Sequence, residues 1–186
     1  MEKVKDIFSK IINWVKSHLI LLVAIIAAIL VVVIIANLFI KTPKKVVKAY
    51  IKAFDNMKVS KIMKLSDYKA QNALVYSSLE DFKKGDYKDF KDAYDKIDND
   101  DIDKDKIEKA LDKSFDKIKD DYKSFNCKIA KIKSVEKITN DFSIIKAEVR
   151  FKAKPEDKDD DRIDEIRTIT FAVYKNKVAS GMSTMF

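Results

Sequence analysis

The chain has 186 residues, with 38 Lys and Arg against 30 Asp and Glu for a net charge of +8, one cysteine and one histidine. The lone Cys127 excludes an internal disulfide and a cysteine-ligated metal cluster. The lone His18 leaves residues 41–186 without an imidazole, which excludes histidine-dependent general base catalysis and histidine-bound zinc there.

Residues 1–18, MEKVKDIFSKIINWVKSH, carry Val4, Ile7, Phe8, Ile11, Ile12 and Val15 at helical spacing, with lysines between them. This pattern predicts a short amphipathic helix on a membrane surface, in a cytoplasmic tail. From Leu19 to Ile40 the chain is apolar except for Asn37, with Ile26 and Val33 along its length. A helix of that run would be roughly 33 Å long, enough for a hydrocarbon core of about 30 Å. Trp14 and His18 before it and Lys41 after it fall where amphipathic and charged side chains meet the headgroups. The run exceeds the roughly 7–15 residues of a signal peptide, and no A-x-A site or cysteine follows it directly. The expectation is an uncleaved signal anchor and a single-pass protein of the cell membrane, with the lipid bilayer as one partner. Lysines flank both ends of the run. Long domains translocate largely regardless of flanking charge, so residues 41–186 are expected to be extracytoplasmic.

Beyond the run, Thr42 and Pro43 predict a helix start, with Val46, Val47, Tyr50, Ile51 and Phe54 as its apolar stripe. Ser60 is a candidate cap for a short second helix bearing Ile62, Met63 and Leu65. Ser66 or Asp67 then starts a third, predicted to run to Lys84 and to end at Gly85. Tyr87, Phe90, Ala93, Tyr94 and Ile97 form one face of the next helix. Asp103 caps a long one through Ile107, Leu111, Phe115, Ile118 and Tyr122. After Lys123 the apolar period changes from 3.6 to 2. Phe125, Cys127 and Ile129 alternate, and the register then slips to Ala130 and Ile132, as at a bulge. Asn140-Asp141 predicts a turn. Ile145, Ala147, Val149, Phe151 and Ala153 alternate with charged residues as the clearest strand. Ile163–Lys175 is a third strand. A turn at Asn176-Lys177 leads into a fourth, Val178–Phe186, with Met182 and Phe186. Helices over 41–123 and strands over 124–186 predict an α+β domain. In it, helices pack on one face of a curved four-stranded antiparallel sheet, behind the amphipathic and transmembrane helix.

The Lys, Ile, Asp and Asn bias resembles that of proteins from AT-rich bacterial genomes. The stretch TPKKVVKAYIKAFDNMKVSKIMKL resembles the opening of small bacterial membrane-anchored or lipoprotein members of the nuclear-transport-factor-two-like superfamily, a cone-shaped, cystatin-related α+β fold. VYKNKVASG is similar to their final hairpin, although Asn176 and Val178 stand where many members have Gly and Trp. The resemblance spans residues 42–186 and implies the cone fold and an extracytoplasmic placement. The superfamily includes enzymes and non-catalytic domains, among them the single-pass assembly subunits of type IV secretion and conjugation channels. It therefore implies a binding or assembly role, with channel subunit, pocket enzyme and small-ligand carrier as alternatives.

The residues themselves point away from catalysis. No carboxylate interrupts an inward-facing strand pattern, and Glu148 faces outward. Asp101, Asp103, Asp105 and Asp112 imitate calcium-loop spacing, but Lys106 stands where that loop needs glycine. Acids favoured at a helix N-terminus explain them better. Asp157, Asp159, Asp160 and Asp161 read as a solvated loop. No cofactor and no metal are expected. Tyr68, Tyr76, Phe82, Tyr87, Phe90 and Tyr94 have the spacing of buried helical faces. A ligand pocket of a cone fold would be lined by Tyr50, Phe54, Phe151 and Phe171. Cys127 reads as a buried small hydrophobe. Basic residues outnumber acidic 11 to 4 over 41–84 and 9 to 3 over 122–154, but acids lead 14 to 9 over 86–121. That alternation argues against a nucleic-acid stripe. The expected partner is another membrane or envelope protein, or a second copy of the chain.

Overall fold

Thr42 and Pro43 begin the first helix in the way their types predict. The Thr42 hydroxyl accepts the Lys45 N–H at 3.3 Å, and Pro43 takes the first helical position, where no N–H is needed. The computed structural model describes residues 42–75, 77–157 and 161–181. The amphipathic tail, the apolar run with Leu19, Ile26, Val33 and Ile40, the edge residues Trp14, His18 and Lys41, and also Tyr76, Asp159, Asp160, Met182 and Phe186 lie outside the described residues. Among the described residues no helix is long and apolar enough to cross a membrane.

Among the described residues five helices precede four strands: α1 Pro43–Asp55, α2 Val59–Leu65, α3 Tyr68–Ala73, α4 Asp86–Lys96, α5 Lys104–Asp121, then β1 Tyr122–Lys137, β2 Phe142–Pro155, β3 Ile163–Tyr174 and β4 Lys177–Ser180. The strands pair antiparallel in the order β1-β2-β3-β4. The domain is therefore α+β, with helices packed on a four-stranded antiparallel sheet.

Local chemistry sets most of the boundaries. α1 ends because Met57 adopts a left-handed φ of 50°, which lets Lys58 N–H reach Ala53 O and Met57 N–H reach Phe54 O. Asp103 caps α5 through its carboxylate, which accepts Lys106 N–H at 2.8 Å. The predicted bulge is present between Ile129 and Lys131, with further register shifts at Tyr122/Ser124 and Ile132/Ser134. Lys175 and Asn176, with φ of 46° and 61°, form the β3–β4 turn, one residue earlier than predicted.

Four expectations fail. The helix expected from Ser66 or Asp67 to Lys84 stops at Ala73. Val75, Ser77 and Ser78 are weak helix formers, and Phe82 leaves the helical path to stack on Phe142 at 4.9 Å. Gly85 does not end a helix but precedes α4, with an ordinary φ of −63°. Ser60 caps nothing: α2 starts one residue earlier, at Val59, after Lys58 and without a side-chain cap. Tyr122 opens β1 instead of closing α5.

The larger correction concerns the sheet's two faces. Phe142–Ile145 and Phe171–Tyr174 are runs of four consecutive buried residues, so both faces are covered at that end. On one face Ile145, Ala147, Val149, Phe171 and Val173 pack with α1, α2 and α5. On the other, Phe142, Ile144, Ala172 and Tyr174 pack with Ala70 of α3, Phe82 and Phe90 of α4. Helices do not lie on one face only, because alternate residues at this end are apolar on both sides.

Candidate functional site

The α1 stripe faces the sheet with Val47 and Ile51, and turns Tyr50 and Phe54 toward α3 and α5. Between these helices lies a half-open cavity of about 280 Å³. Its wall is aromatic: Tyr50, Phe54 and Phe115, with the Phe54 and Phe115 rings edge-on at 5.0 Å. Gln71 and Asn72 of α3 bring amides to it, and Ser114 of α5 a hydroxyl that donates to Ala110 O at 2.9 Å. Tyr68 donates its O–H to Met63 Sδ at 3.0 Å. Burial pushes the Tyr68 hydroxyl above its ordinary pKa, with Glu108 adding to the rise and a Ser66 hydrogen bond opposing it. Among the described lining residues there is no carboxylate, thiol or imidazole.

Of the four residues expected to line a pocket, Tyr50 and Phe54 do so. Phe151 and Phe171 instead sit in the core beneath α1, and Phe171 is fully buried. Strand alternation turned them toward the face of the sheet that α1 covers, but the cavity opens between helices, away from the strands. Gln71, Asn72, Leu111, Ser114 and Phe115 had no site signal in the sequence. Periodicity showed which face of each helix is apolar, not which pair of helices leaves a gap. The aromatics Tyr87, Phe90 and Tyr94 belong to the opposite cluster, where Phe90 lies 4.9 Å from Phe142 and 5.2 Å from Tyr174.

Cys127 is fully buried on β1 against α1. Its N–H donates to Asp55 Oδ1 at 2.7 Å, and its thiol points at Ile51 O at 3.9 Å. Burial, with the Asp55 carboxylate adding to it, pushes the thiol up to about 12. Such a thiol is not a nucleophile near neutral pH. Iodoacetamide at pH 8 is expected to leave Cys127 unmodified in the folded chain and to label it in urea; rapid labelling without urea would contradict this environment. The sign of the pH effect follows. The folded state holds the proton more tightly, so the contribution is intact below the ordinary thiol value and is lost as pH rises toward about 12. A Cys127→Ala chain should lose less stability over that alkaline range than the parent.

Asp55 satisfies a donor that the strand alone leaves open, because among the described residues β1 is an edge strand and Cys127 N–H has no strand partner on that side. Asp55→Ala is expected to cost about 1–3 kcal/mol, and Asp55→Asn less, since an amide oxygen still accepts. Urea unfolding of the full chain measures both, and equal losses would show that the hydrogen bond is not the cause.

The acidic segment before α5 is spent on its own backbone. Asp103 caps the helix, Asp101 accepts Asp98 N–H at 3.2 Å and Asp98 accepts Asp100 N–H at 3.3 Å. Comparison with protein-family models, with curated proteins and with solved structures gives no match.

Proposed function

We propose that this chain is a single-pass, membrane-anchored binding or assembly protein whose extracytoplasmic domain is not an enzyme. The observation that carries the reading is the apolar run Leu19–Ile40, which is long enough to span a bilayer. Such an anchor concentrates the domain in two dimensions and orients it toward a second membrane or envelope protein, or a second copy. The cavity chemistry supports binding over turnover, because amides and hydroxyls can orient a ligand but offer no general acid or base near neutral pH. Short helices followed by an antiparallel four-stranded meander support the proposed kinship with the nuclear-transport-factor-two-like superfamily.

A second reading, a small-ligand carrier, is favoured by the cavity itself. Its volume of about 280 Å³ is near the lower end of ligand pockets, which run from roughly 300 to 1,000 Å³. The ligand would be a small, mostly apolar molecule with one or two hydrogen-bonding groups.

Photoreactive residues placed across the surface of the full-length chain, activated in intact cells, test the primary reading. The expected product contains an envelope protein or a second copy. Monomer alone from every position would overturn it. Protease added to intact cells is expected to digest the domain, and an untouched domain would overturn the extracytoplasmic placement.

A further inference from the structure

The fold brings together two basic stretches that the sequence keeps apart. α1 belongs to the basic block 41–84 and β1 to the basic block 122–154, and a groove of about 470 Å³ runs between them. Ile51, Ile129 and Ile132 contribute apolar surface to it. Lys48 and Lys52, one turn apart on α1, stand on one wall; Lys128 and Lys131 belong to the strand wall, where their ladder partners Arg150 and Glu148 put them on the face of the sheet away from α1. All four are exposed, and among the described residues none is ion-paired. The one carboxylate among the described residues that line the groove, Asp55, already accepts Cys127 N–H.

The strand wall is an edge of the described sheet. Among the described residues β1 has a single neighbour, β2, over its 16 residues. Cys127 N–H points away from β2, as its bond to Asp55 shows. In a pleated strand residues two apart direct their main-chain groups to the same side, so Ile129 offers its N–H and C=O to the groove as well. The bulge at Ile129/Lys131 ends this regular stretch.

We propose that this groove takes an extended acidic segment of a partner protein, which adds to the edge of β1 as a further strand. The proposal rests on the reading of the chain as a binding protein, and names the surface and the partner's chemistry. Main-chain bonds to the edge would hold the segment, alternate apolar side chains would enter between Ile51 and Ile129 beside Lys48 and Lys52, and the acidic side chains between them would meet Lys128 and Lys131 on the outer face. Lysines on an edge strand also repel neutral and basic strands, which selects for an acidic one. A cleft between a helix and a strand edge fits an extended chain better than a flat lipid surface.

The test uses the full chain in uncharged detergent and a fluorescein-labelled peptide of alternating Glu and Val. Anisotropy should show saturable binding. Lys48→Glu, Lys52→Glu, Lys128→Glu and Lys131→Glu together should weaken it by about tenfold or more. N-methylation of alternate peptide amides, which leaves the charge unchanged, should abolish it. Equal binding of the methylated peptide would overturn strand addition. Groove-dependent binding of phosphatidylglycerol vesicles with no binding of the peptide would overturn the choice of partner. Should the four-fold variant misfold by circular dichroism, a photoreactive residue at Ala130 in the otherwise unaltered chain must still capture the peptide. In intact cells, crosslinks from other positions but none from Ala130 would overturn the groove alone, whereas none from any position would overturn the binding reading too.

Discussion

Phe142→Ala is expected to destabilise the domain by about 3–5 kcal/mol, the range for removing a fully buried phenylalanine. Phe142 is fully buried at the start of β2 and is the centre of the cluster on the second face of the sheet. Its ring lies 4.9 Å from Phe82, 4.9 Å from Phe90 and 5.8 Å from Tyr87. These contacts hold α4 and the segment from Leu74 to Gly85 on the sheet, since that segment has no helix of its own. Truncation would open a cavity among rings that cannot collapse into it, and would free the segment. Thermal unfolding of the full chain should shift down by roughly 6–20 °C, taking about 2–4 °C per kcal/mol for a domain of this size. Phe142→Leu keeps most of the volume and should cost about 1.5 kcal/mol or less. If alanine proved no worse than leucine, the second face would be loosely packed, not a true core.

Three arginines at the middle of the apolar run, Ile26→Arg, Ala27→Arg and Ala28→Arg, are expected to abolish membrane integration. The run's leucines, isoleucines and valines sum to about −6 kcal/mol on the insertion scale, and each central arginine costs about 2.5–3.5 kcal/mol. The balance therefore changes sign. Alkaline carbonate extraction should leave the parent chain in the membrane pellet and release the variant. A variant that stays in the pellet would mean that residues 19–40 are not the anchor.

Local signals were legible wherever one residue type serves one backbone need. Thr42 with Pro43, Asp103 before α5, the alternation from Ile145 to Ala153 and the slip after Ile129 all appear where sequence places them. The segment after Ala73 was misread because Leu74, Leu79 and Phe82 have helical spacing, yet Phe82 is buried through a ring stack with a strand about 60 residues away, a contact no local pattern encodes. The candidate pocket was half legible for the same reason. Tyr50 and Phe54 are apolar on a helix, but whether such residues line a gap or fill a core depends on how closely α3 and α5 approach.

By itself the sequence determined the order of helices then strands, the main caps, the bulge, and the apolar run that supports a membrane anchor. Each of these follows from backbone hydrogen bonding and local hydrophobic period, which act over a few residues. Only the tertiary structure decided that helices cover both faces of the sheet, that the cavity lies between α1, α3 and α5, and that α1, with Lys48 and Lys52, and β1, with Lys128 and Lys131, border one groove. Those features depend on which surfaces are brought together by burial, and burial gains are set by the summed fit of distant elements, not by any one segment.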